Sequence, residues 1–355
     1  MKTTETKKNT SKKPIGSQPK KKINLALQGG GSHGAFTWGV IDRLLADGRI
    51  EIEGISGTSA GAMNASVLAY GLHMGGEEVA RQSLYKFWQD VAVSGKDSLL
   101  QPSILDKLFS MGNMDLSPSY HMFDKLTKLM SPYELNPSNI NPLRDVLANV
   151  VDFSVFQKKS DNYKLFITAT NVCSGRMRVF ANQEITLEAV LASACLPLLF
   201  QAVEINGEYY WDGGYMGNPP LYPLINETAS PDILIIQINP VNILHHPTTV
   251  REILDRTSTL AFNSSLMREL RAVDFVTKLI DNGELSTDKH KRVFIHTINA
   301  EALVQELDTS SKLNSDWEFL MYLFECGHQM ADKFLAEHFD KIGHQSSTDI
   351  ASEFM

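Results

Sequence analysis

Two short apolar segments near the start of the chain are each followed by a segment with helical spacing. INLALQ (23–28) and EIEGIS (51–56) predict buried strands. Between them, HGAFTWGVIDRLLADG repeats apolar side chains at helical intervals and stops at Gly48. AGAMNASVLAYGL (60–72) predicts a second helix, rich in small residues. Strand, helix, strand and helix with short connections indicate a parallel βαβ unit.

The same pattern predicts further strands and helices along the chain. The strands are KLFITATNV (164–172), MRVFAN (177–182) and DILIIQINP (232–240). The last is so uniformly apolar that it fits a sheet covered on both faces. A small-residue helix is expected around 187–201, ending at Pro197. Long amphipathic helices are expected over 249–280 and 316–339, with apolar faces that pack on the core rather than on a membrane.

The stretch from about 84 to 150 has a different character. It combines repeated Ser, Pro and Asn with short amphipathic pieces that carry Phe109, Met111, Met114, Met122, Phe123 and Met130. Because methionine-rich surfaces adapt to varied apolar partners, this insertion could form a cap over a cleft. The alternative is ordinary core packing.

Charge is spread unevenly over the 355 residues, whose net charge is −8. The first 22 residues carry eight Lys and one Glu, or +7, so the remaining body is about −15. An acidic body disfavours nucleic acid as a partner. The basic tail is expected to be disordered, serving solubility or, alternatively, docking on anionic lipid.

The sequence offers no targeting or cross-linking signal. Cys173, Cys195 and Cys326 are far apart, so neither a disulfide framework nor a zinc site is expected. The apolar segment after the tail is too short for a signal peptide. The longest apolar run, 189–200, is broken by Pro197, and no run reaches the roughly 18 residues of a membrane span. A cytoplasmic protein is expected, with possible contact at a membrane surface.

A glycine-rich loop follows the first strand. Gly29, Gly31 and Gly34 satisfy G-x-G-x-x-G, which cradles a dinucleotide in some folds and could instead hold an oxyanion. A dinucleotide fold needs an acidic residue at the carboxyl end of the second strand. Glu51 and Glu53 lie at its start. The dinucleotide interpretation is therefore disfavoured, and no cofactor is expected.

The second strand ends in Gly57-Thr58-Ser59-Ala60-Gly61, a G-x-S-x-G motif where strand turns into helix. This is the context of a nucleophile elbow, which lifts the serine hydroxyl out at the carboxyl end of its strand. Since the first two strands are parallel, Ser59 and the glycine loop converge on one edge of the sheet. Backbone N–H groups at Gly30 and Gly31 could then stabilise the oxyanion formed when Ser59 attacks an ester.

A serine nucleophile needs a base, and the residues alone leave its identity open. None of the histidines, among them His245, His246, His290 and His296, is marked as catalytic. Asp212 in GEYYWDGGYMGNPP is a better candidate, although Asp-Gly is also a common hairpin turn. Burial beside its aromatic neighbours, Tyr209, Tyr210 and Trp211, would raise the pKa of Asp212 and make it a stronger base.

Together these motifs resemble the patatin-like phospholipase family. GGGSHG (29–34) looks like its oxyanion motif, GTSAG (57–61) its elbow, DGG (212–214) its catalytic aspartate motif, and ASACLPLLFQAV (192–203) the segment ahead of that aspartate. The resemblance implies a three-layer α/β/α fold with a mostly parallel sheet. It also implies lipid acyl hydrolysis without metal or cofactor, by a Ser59–Asp212 dyad without histidine.

The site residues that follow from this resemblance fall into two groups. Gly29, Gly30 and Gly31 are expected to form the oxyanion hole. The supporting positions are Ser32, His33, Gly34, Gly57, Gly61, Gly213 and Gly214. One position departs from the family, which often has Arg or Lys where this chain has His33, so any charge assistance from it would depend on pH.

The expected organisation is a tail (1–22), a catalytic domain (23–224) and a region of last strands and helices (225–345) that the resemblance does not cover. The expected function is phospholipase A-type hydrolysis of membrane lipids. Two alternatives stay open. One is an esterase, thioesterase or polyester depolymerase acting on other acyl esters, and the other is a catalytically weak lipid-binding module.

Overall fold

The computed structural model describes residues 19–96, 98, 100–158, 163–305 and 307–355. Its strands are β1 Lys21–Leu27, β2 Ile50–Gly57, β3 Lys164–Asn171, β4 Met177–Ala181, β5 Val203–Ile205, β6 Glu208–Asp212, β7 Asp232–Gln237 and β8 Phe294–Asn299. Its α-helices are α1 Gly34–Asp47, α2 Ala60–Gly75, α3 Glu77–Lys96, α4 Ile104–Phe109, α5 Pro118–Leu129, α6 Pro132–Leu135, α7 Pro142–Val150, α8 Leu187–Ser193, α9 Tyr222–Glu227, α10 Val250–Asp281, α11 Glu301–Val304, α12 Trp317–His338 and α13 Ile350–Phe354.

The strands form one mixed sheet in the order β5-β6-β3-β2-β1-β7-β8, with β4 paired to β3. The pairs from β3 through β2, β1 and β7 to β8 are parallel, whereas β4, β5 and β6 join antiparallel. The predicted βαβ unit and mostly parallel sheet are confirmed. The pattern missed the hairpin of β5 and β6, because its strands are short and half exposed.

Helices cover both faces of the sheet, which gives the expected three layers. Alternate side chains point to opposite faces of a strand. In β1, Leu25 and Leu27 pack with helices α1, α2, α3 and α12, whereas Ala26 packs with α9, α10 and α13. The side chains of β7 likewise alternate between these two sets of helices. Its uniformly apolar sequence is therefore explained by burial on two sides.

Several boundaries differ from the predictions. β1 begins at Lys21, so the last two residues of the predicted tail belong to the sheet, while residues 1–18 lie outside the described part of the chain. Helix α8 ends at Ser193, four residues before Pro197. The Cys195 carbonyl instead accepts the N–H of Asp212 at 2.8 Å, which draws the chain toward β6. Within the described residues, no helix is long and apolar enough to cross a membrane.

The pairing along β3 brings two strand ends together. β4 pairs with Phe166–Thr170, a range that overlaps the partners of both β2 and β6. Since a strand has only two edges, β2 and β6 must share the other edge of β3. β2 stops at Gly57, opposite Ile167, and β6 arrives from the other direction with Asp212 opposite Ala169. The two strands therefore meet end to end at the carboxyl edge of the parallel sheet.

Candidate active site

Ser59 occupies a strained turn between β2 and α2. Its φ of 56° and ψ of −124° lie in a region that non-glycine residues rarely adopt. A Cβ at Gly57 would lie 2.5 Å from the carbonyl oxygen of Gly61, so the turn is too tight for side chains there. The Ser59 N–H donates to the Ser193 hydroxyl at 2.9 Å. The local geometry is that of a nucleophile elbow.

Asp212 ends β6 beside this elbow and is fully buried. Its Oδ1 accepts the Gly214 N–H at 2.7 Å, and its Oδ2 has no partner of hydrogen-bond geometry within the described part of the chain. Burial raises the pKa of the carboxyl to about 7, although the Gly214 N–H, the Ser59 hydroxyl and the charge of Lys312 act to lower that pKa. The expected direction of the pKa shift agrees with the structure. Of the three aromatic neighbours expected to bury Asp212, only Tyr210 is itself buried.

The hairpin interpretation of the Asp-Gly dipeptide is wrong. The turn between β5 and β6 is made by Asn206 and Gly207, whose φ angles are 54° and 81°. Asn-Gly suits a two-residue turn with positive φ at both positions. Asp212 is instead the last residue of the second strand of this hairpin. Side chains at Gly213 and Gly214 would collide with the Thr168 carbonyl and the Phe262 ring.

The glycine-rich loop lies directly against the elbow. A Cβ at Gly29 would come within 2.5 Å of the Ser59 Cβ, so only glycine allows this approach. The Gly29 N–H donates to Asn218 Oδ1 at 2.7 Å and is therefore occupied. Gly31 has a φ of 60° and packs on the Lys312 carbonyl. Among the described residues, the N–H groups of Gly30 and Gly31 have no acceptor.

The loop after Asp212 is hydrogen-bonded to both the glycine-rich loop and the turn that carries Ser59. Besides the bond to Gly29, the Thr58 hydroxyl donates to the Gly217 carbonyl at 2.7 Å and the Ser56 hydroxyl to the Pro220 carbonyl at 2.8 Å. Asn218 itself is fully buried. Sequence reasoning did not assign Asn218 a role. Its signal was the Asn-Pro-Pro run that follows the two glycines.

The start of α1 is fixed in the same compact way. A Cβ at Gly34 would lie 2.8 Å from the Ala60 Cβ, and the Gly34 carbonyl accepts the Asn64 side chain at 2.9 Å. The Trp88 indole N–H donates to the same Asn64 side chain at 3.0 Å. Ser32 lines the cavity beside Ser59. The glycine motif thus sits at the start of α1, where the helix dipole favours negative charge.

The candidate histidines lie away from Ser59. His296 in β8 bonds Asp232, the first residue of β7, at 3.0 Å, toward the edge of the sheet opposite the elbow. His245 and His246 line a separate cavity, and His290 is exposed. His33 is buried against Ser311, and burial lowers its pKa to about 3. His33 is therefore neutral at ordinary pH and brings no positive charge to the glycine loop there.

A cavity of about 430 Å³ opens at Ser59 and has a mostly apolar lining. It runs between α3, the short helices α5–α7 and the segment after α8; its apolar lining includes Met63, Phe87, Trp88, Val91, Phe123, Leu135, Leu143, Leu196, Leu199 and Phe200. Of the residues considered for a cap, Phe123 lines this cavity, whereas Met111 lines another one and Met114 is buried. The Phe109 side chain lies outside the described part of the structure.

Glu53 is excluded from a cofactor role by its position. Its carboxylate accepts the N–H groups of Ala229 and Ser230, each at 2.7 Å, ahead of β7. This is the amino edge of the parallel strands, away from the glycine loop. No carboxylate of β2 therefore reaches the site where a ribose would bind.

Comparison with solved structures gives distant matches. VipD from Legionella pneumophila matches with 16% identity and a TM-score of 0.41, over 91% of this chain and 68% of that chain. Full-length ExoU, from its complex with SpcU of Pseudomonas aeruginosa, matches with 15% identity and a TM-score of 0.33, over 89% of this chain and 53% of that chain.

Comparison with sequences gives a clear assignment. No curated protein matches the chain in sequence. The family model described as patatin-like phospholipase matches residues 25–225, more than half of the chain. This range contains the glycine loop, the elbow and Asp212. The chain therefore belongs to the patatin-like phospholipase family and is a lipid acyl hydrolase, a carboxylic ester hydrolase.

Proposed function

We propose that the protein hydrolyses carboxylic esters of membrane phospholipids with Ser59 as nucleophile and Asp212 as base. The observation that carries this proposal is the fully buried Asp212 carboxylate beside the strained Ser59, whose hydroxyl acts to lower the pKa of that carboxyl, while Oδ2 has no other hydrogen-bond partner among the described residues. The histidine of the glycine motif, His33, is held by Ser311 and stays neutral. A dyad therefore accounts for the groups present without a further base.

In the first step the Ser59 oxygen attacks the ester carbonyl carbon while its proton passes to Asp212 Oδ2. An ordinary aspartate is a weak base because its pKa lies near 4. With a pKa of about 7, Asp212 can accept this proton and later return it near neutral pH. The proton then passes to the leaving alcohol oxygen as the carbon–oxygen bond breaks. Water then attacks the acyl-enzyme carbonyl as its proton passes to the same carboxylate, and this proton returns to the Ser59 oxygen as the bond between Ser59 and the acyl group breaks and the fatty acid leaves.

The developing oxyanion is stabilised by the N–H groups of Gly30 and Gly31. We assign these two because the third N–H expected in the hole, that of Gly29, already donates to Asn218. Gly29 serves instead as the point of close approach to Ser59. Each oxyanion donor of this kind contributes about 3–4 kcal/mol to transition-state stabilisation.

The apolar cavity supports a substrate with a long acyl chain. Ligand sites of this volume are lined mainly by apolar side chains with few polar groups at the reacting end, and Ser32 and Ser59 lie at that end here. A short-chain ester would leave most of the lining uncovered. The cavity therefore favours substrates with a long acyl chain, and the substrate test below distinguishes lipid esters from long-chain thioesters.

The test is incubation of the purified protein with vesicles made from a mixed lipid extract, followed by mass spectrometry of the products. Free fatty acid and lysophospholipid are expected from the wild type, and neither from Ser59→Ala or Asp212→Asn. Ser352→Ala is a matched control, because Ser352 is an exposed serine of α13 that does not line this cavity. Release of products only from thioesters or polyesters would redirect the substrate. Failure of a fluorophosphonate to label Ser59 would favour the lipid-binding module.

A further inference from the structure

Lys312 reaches the active site from outside the range that the family model matches. It lies in the single-turn helix Thr309–Leu313, and its carbonyl oxygen packs on Gly31, where a Cβ would collide with it. Its side chain lines both the Ser59 cavity and the neighbouring cavity of about 520 Å³ that His33 also lines. The C-terminal region thus contributes to both walls around the glycine loop.

The Lys312 ammonium is tied to this loop through one intermediate side chain. Its Nζ donates to Asn239 Oδ1 at 3.0 Å, and Asn239 Nδ2 donates to the Gly29 carbonyl at 2.7 Å. Asn239 is itself held by Gln28 Oε1, which accepts its backbone N–H at 3.0 Å. Lys312 therefore contacts the glycine loop at Gly31 through its backbone and reaches Gly29 through Asn239.

The charges around Lys312 place it within electrostatic reach of the reacting groups. Asp212 and Asp255 both act to raise its pKa, although burial lowers it overall. Conversely, the positive charge of Lys312 lowers the pKa of Asp212 and of His33. Because His33 is neutral, it cannot supply positive charge beside the glycine loop.

From this placement, and resting on the proposed function, we infer that Lys312 is a positioning residue whose protonated form also supplies positive charge beside the oxyanion hole. It holds Gly29 and Gly31 in place, and its ammonium offsets the negative charge that passes from Asp212 to the oxyanion during attack. Preorganised charge of this kind costs no rearrangement at the moment of reaction. The residue assigned to this role lies in the C-terminal region of the chain. It is distinct from His33, which lies in the glycine motif.

The experiment compares Lys312→Gln, Lys312→Met and Lys312→Arg with the wild type on a soluble, uncharged short-chain ester. Gln keeps an N–H that can donate to Asn239 without the charge, Met keeps the length alone, and Arg keeps the charge. The matched control is Lys291→Met, because the Lys291 ammonium also lies half-buried and donates to the Thr228 carbonyl at 2.9 Å, at the amino edge of the sheet. Thermal unfolding of each variant is measured in parallel.

We expect Lys312→Gln to lower kcat about 10- to 100-fold, within the range for loss of one oxyanion-stabilising group, with KM within about twofold. The acidic limb of the kcat/KM profile is expected to move to higher pH, because the cation that lowers the pKa of Asp212 is gone. Lys312→Met should lose at least as much, and Lys312→Arg should recover most of kcat. A merely structural lysine would not move the pH limb.

The inference is overturned if Lys312→Gln keeps wild-type kcat and the wild-type pH limb, or if Lys291→Met lowers kcat equally. If Lys312→Met does not fold, the Gln and Arg variants decide alone, because they preserve the contact to Asn239 in part or in full. Ser59→Ala separates the two proposals. If Ser59→Ala retains activity, the proposed function fails and the role of Lys312 with it. If Ser59→Ala is inactive while Lys312→Gln is unaffected, only the role of Lys312 fails.

Discussion

The backbone N–H of Gly29 donates to the side-chain oxygen of Asn218 over 2.7 Å, which joins the glycine-rich loop to the loop that follows Asp212. Two motifs that lie 189 residues apart are thereby held in one rigid unit with Ser59 between them. The bond also removes Gly29 from the set of free donors. The geometry of the proposed oxyanion hole therefore depends on a side chain outside the glycine motif.

Replacing Asn218 should impair catalysis more than substrate binding. Asn218→Ala leaves the Gly29 N–H unpaired and frees the loop, so we expect kcat to fall about tenfold or more while KM for a soluble ester changes little. Steady-state kinetics and thermal unfolding measure the two effects. The control is Asn182→Gly, which removes a similar bond, to the Leu165 N–H at 3.1 Å, near the start of β3. Equal losses of kcat in both variants would contradict the assignment.

A methyl group at Gly30 should lower kcat because it collides with one neighbouring side chain. A Cβ there would lie 2.8 Å from Ile238 Cδ1, so Gly30→Ala must displace either the Ile238 side chain or the loop that carries the N–H donors. We expect kcat to fall by an order of magnitude or more. Adding Ile238→Ala makes room for the methyl group and should restore part of kcat, which a double-mutant cycle measures as coupling. If the two changes affect kcat independently, the methyl group does not act through Ile238. Separately, saturable stabilisation of the protein by NAD or FAD would contradict the oxyanion interpretation of the glycine loop.

The raised pKa of Asp212 should govern the pH dependence of activity. In the proposed mechanism the carboxylate is the active form, so kcat/KM is expected to rise with pH and to level off above about 7. A profile that levels off near pH 4, the ordinary value for aspartate, would contradict the burial argument. Histidine variants provide the control for other groups that titrate in this range.

The raised pKa of Asp212 should also affect stability, and stability should fall over the pH range in which activity rises. The native state retains the Asp212 proton up to about pH 7, whereas an unfolded aspartate loses it near pH 4. Unfolding therefore releases a proton between these values, and the free energy of unfolding falls as pH rises through this window. Asp212→Asn has no carboxyl at this position. Its free energy of unfolding, relative to that of the wild type, should therefore increase by a few kcal/mol from pH 4 to 7 and then stay level. Denaturant titrations at several pH values measure the difference.

No single histidine outside the glycine motif should be essential. His245, His246 and His290 are exposed and His296 bonds Asp232, so each alanine variant is expected to keep most of the ester hydrolysis measured below its melting temperature. His296→Ala should lower stability because the buried Asp232 carboxylate loses the imidazole and keeps only the Gly343 N–H. A loss of kcat as deep as that of Ser59→Ala in any of these variants would restore a catalytic triad.

Two apolar residues of α5 should affect lipid hydrolysis differently. Phe123 lines the Ser59 cavity, whereas the Leu129 side chain is 82% exposed. Phe123→Ser is expected to lower activity on both monomeric and aggregated long-chain esters. Leu129→Ser should lower it on aggregated lipid alone, if this surface meets the lipid. Leu260→Ser on α10, at a residue 51% exposed, is the control. Equal activity of the Leu129 and Leu260 variants on vesicles would remove α5 from the contact surface.

The sequence by itself determined the catalytic edge of the sheet. Apolar runs and helical spacing located β1, β2 and β7 and the two long C-terminal helices, because burial on both faces leaves a strong periodic signal. The parallel order of β1 and β2 placed the glycine loop beside Ser59, since loops after parallel strands meet at one edge. The hairpin of β5 and β6 escaped detection because half-exposed short strands carry little pattern.

Only the tertiary structure decided how the site is charged and held together. His33 stands within the glycine motif, but its neutrality follows from burial against Ser311, which no local pattern reveals. Asn218, Asn239 and Lys312 reach the loop from 189, 210 and 281 residues away, as shown by their contacts with Gly29 and Gly31. Such contacts depend on where distant segments pack, and the pKa of a buried group depends on everything packed around it.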